Sequence, residues 1–181
     1  MYSLTPEGQL NRWVIRTDWV DPSKPKGRDK TFKQCHRSKS GEVVWKKGDA
    51  PWEAYRIDEF IQSLKATPGI PVGLVQEGEG VIEKARTDGL ASITFQGSAW
   101  SSKDLERSLT RIKEECPNAV LAFLRDNDAT GSEKAKAFQE ACDRVGIFSV
   151  VIDPLAIYSE LPDKGDIVEI LAAMDTPQFI R

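Results

Sequence analysis

The sequence is poor in the residues that cross-link chains or bind transition metals. It has three cysteines, Cys35, Cys116 and Cys142, and one histidine, His36, among 181 residues. An odd number of cysteines with no close pair argues against a disulfide framework, and reduced thiols are the expectation. A structural zinc site needs about four Cys or His ligands at set spacings, so Cys35-His36 does not predict one. We expect a structural or phosphate-contacting His36 rather than a catalytic base.

Long apolar segments are also missing. No apolar run approaches the roughly 18 residues that span a bilayer, and the first residues, Met1 to Pro6, lack the hydrophobic region of a signal peptide. A GxxxxGK[ST] nucleotide-binding loop is absent as well. With 40% hydrophobic and 29% charged residues, the composition is that of a folded globular protein. We therefore expect a cytoplasmic protein with no membrane partner.

Charge is unevenly distributed along the chain, whose formal net charge is −3. Residues 1–65 contain 13 Lys+Arg and 9 Asp+Glu, whereas residues 66–181 contain 12 and 19. The basic excess is concentrated between Arg12 and Asp49, with 11 basic and 5 acidic residues. This asymmetry is compatible with a basic part that holds an anionic substrate and an acidic part that binds metal.

The first third of the chain predicts a small β-rich module over residues 1–66. Trp13–Arg16 and Glu42–Trp45 have the β-branched and aromatic content of strands, and Phe32–Gln34 is a third candidate. A basic loop punctuated by Pro and Gly, Asp21–Arg28, lies between the first strand and the third candidate. Ile57–Leu64 has helical spacing of apolar residues, and the Pro/Gly-containing segment that follows marks a domain boundary at about residue 67.

Residues 67–181 alternate between strand and helix patterns, which predicts an α/β domain with a parallel sheet of about four strands flanked by helices. The predicted strands are 72–75, 91–95, 119–124 and 148–152, and the predicted helices are 80–88, 102–116, 131–145 and 166–174.

Acidic residues follow three of the predicted strands. Glu77 follows the first, Asp126 and Asp128 follow the third, and Asp163–Asp166 lies beyond the fourth. Ligands of open parallel sheets bind outside the carboxyl ends of the strands. Carboxylates that converge there repel one another unless a cation is present, and hard oxygen ligands suit Mg²⁺ or Mn²⁺. The sequence therefore predicts a divalent-metal site.

Four segments in order resemble the motifs of the TOPRIM family, over about residues 70–172. The resemblance is closest to bacterial-type DNA primases and to primase-like proteins of phages and plasmids. The segments are Val72–Glu79 (a strand ending in Glu-Gly), Thr94–Trp100 (a Gly-containing loop), Leu124–Gly131 (a DND motif followed by Gly) and Lys164–Val168 (a KGD motif).

The resemblance implies a Rossmann-like TOPRIM domain over residues 67–181 with Mg²⁺ or Mn²⁺ as cofactor. It implies that Glu77 acts as general acid/base or metal ligand and that Asp126 and Asp128 hold the metal. Asp166 is either a further metal residue or a helix cap. Many relatives have Asp at the position of Val81; Glu83 is the alternative acid there or an exposed helix residue, and Glu79 is expected in a solvated loop.

The N-terminal module also resembles the segment that precedes TOPRIM in primase-like proteins, at Phe32–His36, Val44–Lys46 and Trp52–Arg56. Basic residues interleaved with aromatics can follow a phosphate backbone and stack on bases. Trp45, Trp52 and Tyr55 are expected to fill a small core, with base stacking as the alternative. The basic residues expected to contact nucleic acid are Lys24, Lys26, Arg28, Lys30 and Lys33.

The resemblance implies a DNA primase-like nucleotidyltransferase that makes short primers on single-stranded DNA from nucleoside triphosphates. A replicative helicase is a further partner that it suggests. A metal-dependent nuclease is the alternative, because the same acidic site can hydrolyse phosphodiesters. A non-catalytic DNA-binding replication module is the second alternative. Topoisomerase activity is disfavoured, because no companion domain with a nucleophilic Tyr fits this length, and the tyrosines are Tyr2, Tyr55 and Tyr158.

Overall fold

The chain divides into two units, Met1–Trp52 and Glu53–Arg181, in a computed structural model that describes residues 3–4, 10–24, 27–48, 52–95, 100 and 102–174. The sequence placed the boundary near residue 67 instead. Helix α1 (Ile57–Ala66) accounts for the difference, because its apolar side chains, including Phe60 and Leu64, are buried in the core of the second unit. Within the described residues, no helix has the length and apolarity to span a bilayer.

The first unit contains an antiparallel sheet of four strands in the order β1-β2-β3-β4. This confirms the expectation of a small hairpin-based β module. The strands are β1 (Ser3–Leu4), β2 (Leu10–Val20), β3 (Arg28–Arg37) and β4 (Val43–Val44). Strands β2 and β3 pair from Arg12 opposite His36 to Val20 opposite Arg28, so both strands run well beyond the predicted Trp13–Arg16 and Phe32–Gln34. The loop predicted at Asp21–Arg28 agrees with these strand bounds to within one residue, and the Asp21 N–H donates to the Gly27 carbonyl at 3.0 Å.

The second unit is built on a parallel sheet of four strands in the order β6-β5-β7-β8. The strands are β5 (Val72–Val75), β6 (Ser92–Ile93), β7 (Val120–Leu124) and β8 (Phe148–Ile152). The predicted α/β class with a parallel sheet of about four strands is therefore confirmed. Strands β5 and β7 are the two central strands, and their carboxyl ends lie side by side.

Helices flank the parallel sheet and bury two hydrophobic clusters against it. Helix α1 contributes to one cluster with α3 (Ser102–Glu115) and α4 (Ala129–Val145), which includes Phe123 of β7. The other contains residues of α2 (Glu79–Thr87) and α6 (Ile167–Ala173) with Ala122 and Leu124 of β7. Alternate residues of β7 thus enter different clusters, as expected for a strand buried on both faces. The short α5 (Pro154–Ile157) follows β8.

Gly73 of β5 provides a stability test of this packing. A Cβ added at Gly73 would lie 2.8 Å from Phe60 Cε2, closer still to Cζ, and 3.2 Å from Leu64 Cδ2. We predict that Gly73→Ala lowers the free energy of unfolding by about 1–3 kcal/mol, because α1 has to shift. Gly80→Ala is the matched control, since a Cβ there meets nothing within 4 Å and Ala favours the helix by about 0.5–1 kcal/mol. Urea unfolding measures both, and equal stabilities would contradict the packing.

Candidate functional site

The carboxyl ends of β5 and β7 bring Glu77 and Asp126 together. Each residue lies two positions beyond the end of its strand, and the Asp126 N–H donates a long hydrogen bond of 3.4 Å to Glu77 Oε1. Gly131, in the first turn of α4, packs against both. A Cβ on Gly131 would lie 2.5 Å from the Asp126 carbonyl oxygen and 3.1 Å from Glu77 Oε1. Glycine therefore permits α4 to approach the two acids.

Strand β6 and the residues after it hold the segment that carries Glu77. The Gln76 N–H donates to the Ile93 carbonyl at 3.1 Å, and the Gln76 side-chain oxygen accepts from Ser92 at 2.9 Å. The Gly78 N–H donates to Thr94 Oγ1 at 3.3 Å, and Gly78 has φ of 90°, a conformation that favours glycine. Glu77 is thus fixed from both sides by hydrogen bonds of its neighbours.

Asn127 ties the 161–166 segment to the end of β7. Its backbone N–H donates to the Gly165 carbonyl and its carbonyl accepts from the Lys164 N–H, both at 3.0 Å. Its side-chain amide donates to the carbonyls of Leu161 and Pro162 at 3.3 and 3.1 Å. These four hydrogen bonds bring the segment that carries Asp166 up to Asp126. Sequence reasoning gave Asn127 no role, although an amide between two acids in a DND motif was a signal that it binds backbone.

Asp128 and Asp166 each begin a helix. Asp128 Oδ1 accepts from the Gly131 N–H at 2.7 Å and caps α4. Asp166 Oδ1 accepts from the Val168 N–H at 2.7 Å and forms a capping box with Glu169 at the start of α6. Of the two roles open for Asp166, the structure shows the helix cap. A negative charge at a helix N-terminus is also electrostatically favourable.

The acids share one electrostatic environment centred on Asp126. Burial raises the pKa of Asp126 to about 7, and the negative charges of Glu77, Asp166 and Asp128 add to the rise, while Lys134 opposes it. Burial likewise raises the pKa of Asp166. Three acidic side chains, Glu77, Asp128 and Asp166, therefore lie near enough to act on the Asp126 carboxyl, as the positions beyond the strand ends predicted.

Lys134 of α4 enters this environment, a contribution that sequence reasoning missed. Its ammonium forms an ion pair with Glu77 and lies 5.6 Å from the centroid of the Trp100 ring. The Lys134 side chain is 13% exposed and that of Glu77 is 8% exposed. The available signal was the spacing from Gly131, because residues three apart share a helix face.

The donor chemistry of these residues fits Mg²⁺ or Mn²⁺. Both ions prefer carboxylate oxygens, and no hydrogen bond to the Asp126 carboxylate occurs among the described residues. In that part of the chain, however, no three His, Cys, Asp or Glu side chains are grouped as a set of metal ligands. Glu77 is paired with Lys134 and Asp128 is engaged in its cap. Side-chain rearrangement would accompany metal binding.

The other two acids considered near Glu77 are Glu79 and Glu83, which both lie in α2. Glu79 is the first residue of α2, not part of a solvated loop, because the helix begins one residue earlier than expected. Glu83 forms an ion pair with Arg56, in which its Oε1 lies 2.7 Å from Arg56 Nε. It is therefore not the alternative to the aspartate expected at the position of Val81. Val81 packs against the hydrophobic cluster of α2 and α6. In the motif Thr94–Trp100, residues 96–99 lie outside the described residues.

The hairpin of the first unit presents a basic face that we call the ribbon face, defined by Arg16, Asp18, Arg28, Lys30 and Phe32. These residues share a face because Arg16 is opposite Phe32, Asp18 is opposite Lys30, and side chains alternate along a strand. Phe32 is 52% exposed, and Lys30 Nζ lies 5.6 Å from the centroid of its ring. Arg16 pairs with Asp18, so the face keeps an excess of positive charge.

The structure does not collect the five predicted nucleic-acid contacts on one surface. Arg28 and Lys30 lie on the ribbon face, whereas Lys33 lies on the opposite face, 5.9 Å from the Trp45 ring centroid. Lys24 pairs with Asp29 at 3.2 Å. Lys26 lies outside the described residues.

The aromatic residues and His36 divide between core and surface. Trp52 and Tyr55 are buried, but Trp45 is 61% exposed, so the expectation that it fills the core was wrong. Trp45 follows the short strand β4 and contacts Lys33 at the surface. His36 has a structural position, because its Nδ1 is 2.8 Å from the Lys46 carbonyl oxygen. All three cysteines are free and buried.

Comparison with known proteins gave no relative. No protein-family model matches the chain, and no similar protein was found among curated proteins or solved structures. The assignment of the site therefore depends on the geometry and electrostatics described above.

Asp126 gives a test of the electrostatics that does not depend on activity. A carboxyl whose pKa is raised to about 7 by folding destabilises the fold when ionised. We predict that Asp126→Asn raises the free energy of unfolding by about 1 kcal/mol or more at about pH 8 in EDTA. The gain should shrink toward about pH 5, because the folded-state carboxyl then takes up a proton while the unfolded one stays ionised to lower pH.

Thermal melts at several pH values measure this gain. Asp143→Asn is the matched control, since it removes the same charge from an exposed position on α4. If both variants melt at the same temperature at every pH, folding does not raise the pKa of Asp126 as described.

Proposed function

We propose that this chain is a TOPRIM-type, divalent-metal-dependent nucleotidyltransferase of the DNA primase class, which makes short primers on single-stranded DNA. The observation that carries the proposal is the meeting of Glu77, Asp126 and Asp166 beyond the ends of β5 and β7, where the pKa of Asp126 rises to about 7. This excess of negative charge, at the edge of a parallel sheet where ligands bind, favours a site for divalent cations, through which phosphates would bind.

Each acid has a distinct part in the proposed chemistry. Asp126 and Asp128 would hold the metal, and Glu77 would either ligate it or accept the proton of the attacking 3′-hydroxyl. Bound Mg²⁺ supplies polarisation of the triphosphate and stabilisation of the attacking and leaving oxygens. Asn127 fixes the position of both aspartates by tying the end of β7 to the 161–166 segment. Gly131 keeps the space between α4 and the acids.

The ribbon face supports single-stranded nucleic acid as the partner. It combines three cations with one anion and an exposed aromatic ring next to Lys30. Cations attract a phosphate backbone, and an exposed ring offers a stacking surface to unpaired bases. On the opposite face of the same part of the hairpin, Asp29 is paired with Lys24, which leaves Lys33 as one cation beside Trp45.

Glu77→Gln tests the proposed activity. Purified protein, single-stranded DNA, labelled nucleoside triphosphates and Mg²⁺ or Mn²⁺ should yield short new products, and we predict that Glu77→Gln lowers their yield by at least about a hundredfold. Loss of the carboxylate removes either a metal ligand or the proton acceptor. Glu133→Gln, the same substitution at an exposed position of α4, should keep wild-type yield. Products are resolved on a denaturing gel.

Other outcomes of this experiment separate the alternatives. End-labelled DNA run in parallel reports hydrolysis, and shortened input DNA that depends on Glu77 would reassign the site to a nuclease. Absence of both activities, with DNA still bound, would leave a DNA-binding module and reject the enzyme. Products that survive Glu77→Gln would remove Glu77 from the site.

Lys30→Ala and Phe32→Ala test the ribbon face. We predict that Phe32→Ala weakens binding of single-stranded DNA by about 1 kcal/mol or more, because a stacking surface is lost. Lys30→Ala should reduce the slope of log affinity against log salt by about 0.7. Fluorescence anisotropy over a salt series measures both effects. Lys33→Ala, on the same strand but the opposite face, is the control, and an equal effect there would reject the assignment of the face.

A further inference from the structure

We propose that Lys134 is the internal counter-ion of Glu77 in the metal-free protein and that it competes with the divalent cation for this acid. The inference rests on the proposed metal site and adds a residue that determines how tightly the site binds its ion. Its basis is the ion pair between the Lys134 ammonium and Glu77, where both side chains are largely withdrawn from solvent.

Burial makes this ion pair obligatory in the absence of another cation. The Glu77 side chain is 8% exposed and that of Lys134 is 13% exposed. A carboxylate taken out of water requires a compensating charge, and removal of one partner of a buried pair strands the other. Asp126, whose N–H donates to Glu77 Oε1, is itself close to further negative charge. Lys134 is therefore the cation that allows the metal-free site to fold.

The surroundings of Lys134 favour an ammonium that a metal ion can displace from Glu77. Its Nζ lies 5.6 Å from the centroid of the buried Trp100 ring, so an aromatic face lies beside the ammonium in addition to Glu77. Lysine offers a point charge on a flexible stem, whereas arginine would grip a carboxylate with two parallel hydrogen bonds. Lys134 also belongs to the helix that Asp128 caps, and its charge acts on both Glu77 and Asp126.

The competition has a consequence that other roles of Lys134 do not share. A divalent ion that binds Glu77 meets the positive charge of Lys134, so removal of that charge should tighten metal binding. The same removal should destabilise the metal-free fold. A lysine with a packing role alone would lower stability equally with and without metal. A lysine that oriented ligands would weaken metal binding when removed.

Lys134→Met, compared with Lys136→Met, tests the inference. Lys136 is an exposed lysine two residues along the same helix, so its replacement removes an equal charge without touching Glu77. We expect Lys134→Met to melt below wild type in excess EDTA and to recover in Mg²⁺ or Mn²⁺. Its dissociation constant for Mn²⁺, from calorimetry, should fall by about tenfold or more, because repulsion at contact distance exceeds this factor even at an effective dielectric constant of about 20.

A second variant covers the case in which Lys134→Met does not fold in EDTA. The double variant Glu77→Gln with Lys134→Met removes both charges, so it should be more stable in EDTA than Lys134→Met alone. If the double variant is no more stable, Lys134 does not serve Glu77 and the inference is overturned.

The failures of the inference and of the proposed function are distinguishable. If wild type binds Mn²⁺ and Lys134→Met binds it equally or more weakly, the counter-ion role is overturned while the metal site stands. If neither wild type nor any folded variant binds Mn²⁺ or Mg²⁺, the metal site itself is wrong, and the inference falls with it.

Discussion

Repulsion among carboxylates at one edge of the parallel sheet is the constraint on which the second unit depends. The order β6-β5-β7-β8 brings the ends of β5 and β7 together, and each is followed by an acid two residues on. Burial then raises the pKa of Asp126 to about 7, with Glu77 adding to the rise. A fold that places acids in this way has to compensate their charge or bind a cation.

The structure compensates this charge in two ways, which together cover three of the four acids. Lys134 pairs with Glu77 directly. Asp128 and Asp166 receive backbone N–H donors at the first turns of α4 and α6, where the helix dipole favours negative charge. Asp126 receives no comparable partner within the described residues, and its pKa is raised to about 7. The Asp126 carboxyl is thus the one whose charge is not compensated by a direct partner.

The sequence predicted the framework of this site because local signals and the rule for strand ends agree there. Strands β5 and β8 have the predicted bounds, since short apolar runs bounded by turn residues determine them. Glu77 and Asp126 were predicted together because carboxyl ends of parallel strands meet at one edge. Lys134 was missed because its contact depends on the approach of α4 that Gly131 permits, a tertiary effect.

The first unit shows a different limit of sequence reasoning. Pro and Gly correctly predicted the loop at Asp21–Arg28, but they did not show that β3 extends from Arg28 to Arg37 and so includes Lys30 and Lys33. Once Lys30 and Lys33 are strand residues, their spacing of three places them on opposite faces. Charge counts along the chain cannot make this separation, because it arises only when the register is fixed. Trp45 was expected in the core for a related reason, since aromatic content does not reveal which side of a short strand is covered.

The helix caps formed by Asp128 and Asp166 separate the acids at the edge of the sheet into two that are held in place and two that can move. One oxygen of each is committed to the first turn of a helix, so neither carboxylate can turn freely without loss of a cap worth about 1 kcal/mol. Asn127 fixes the backbone between them through four hydrogen bonds. Glu77 and Asp126 are therefore the side chains that can adjust to a ligand, and the ion pair with Lys134 controls one of the two. In the proposed metal site, the positive charge of Lys134 on α4 would therefore affect how readily Glu77 and Asp126 accept a cation.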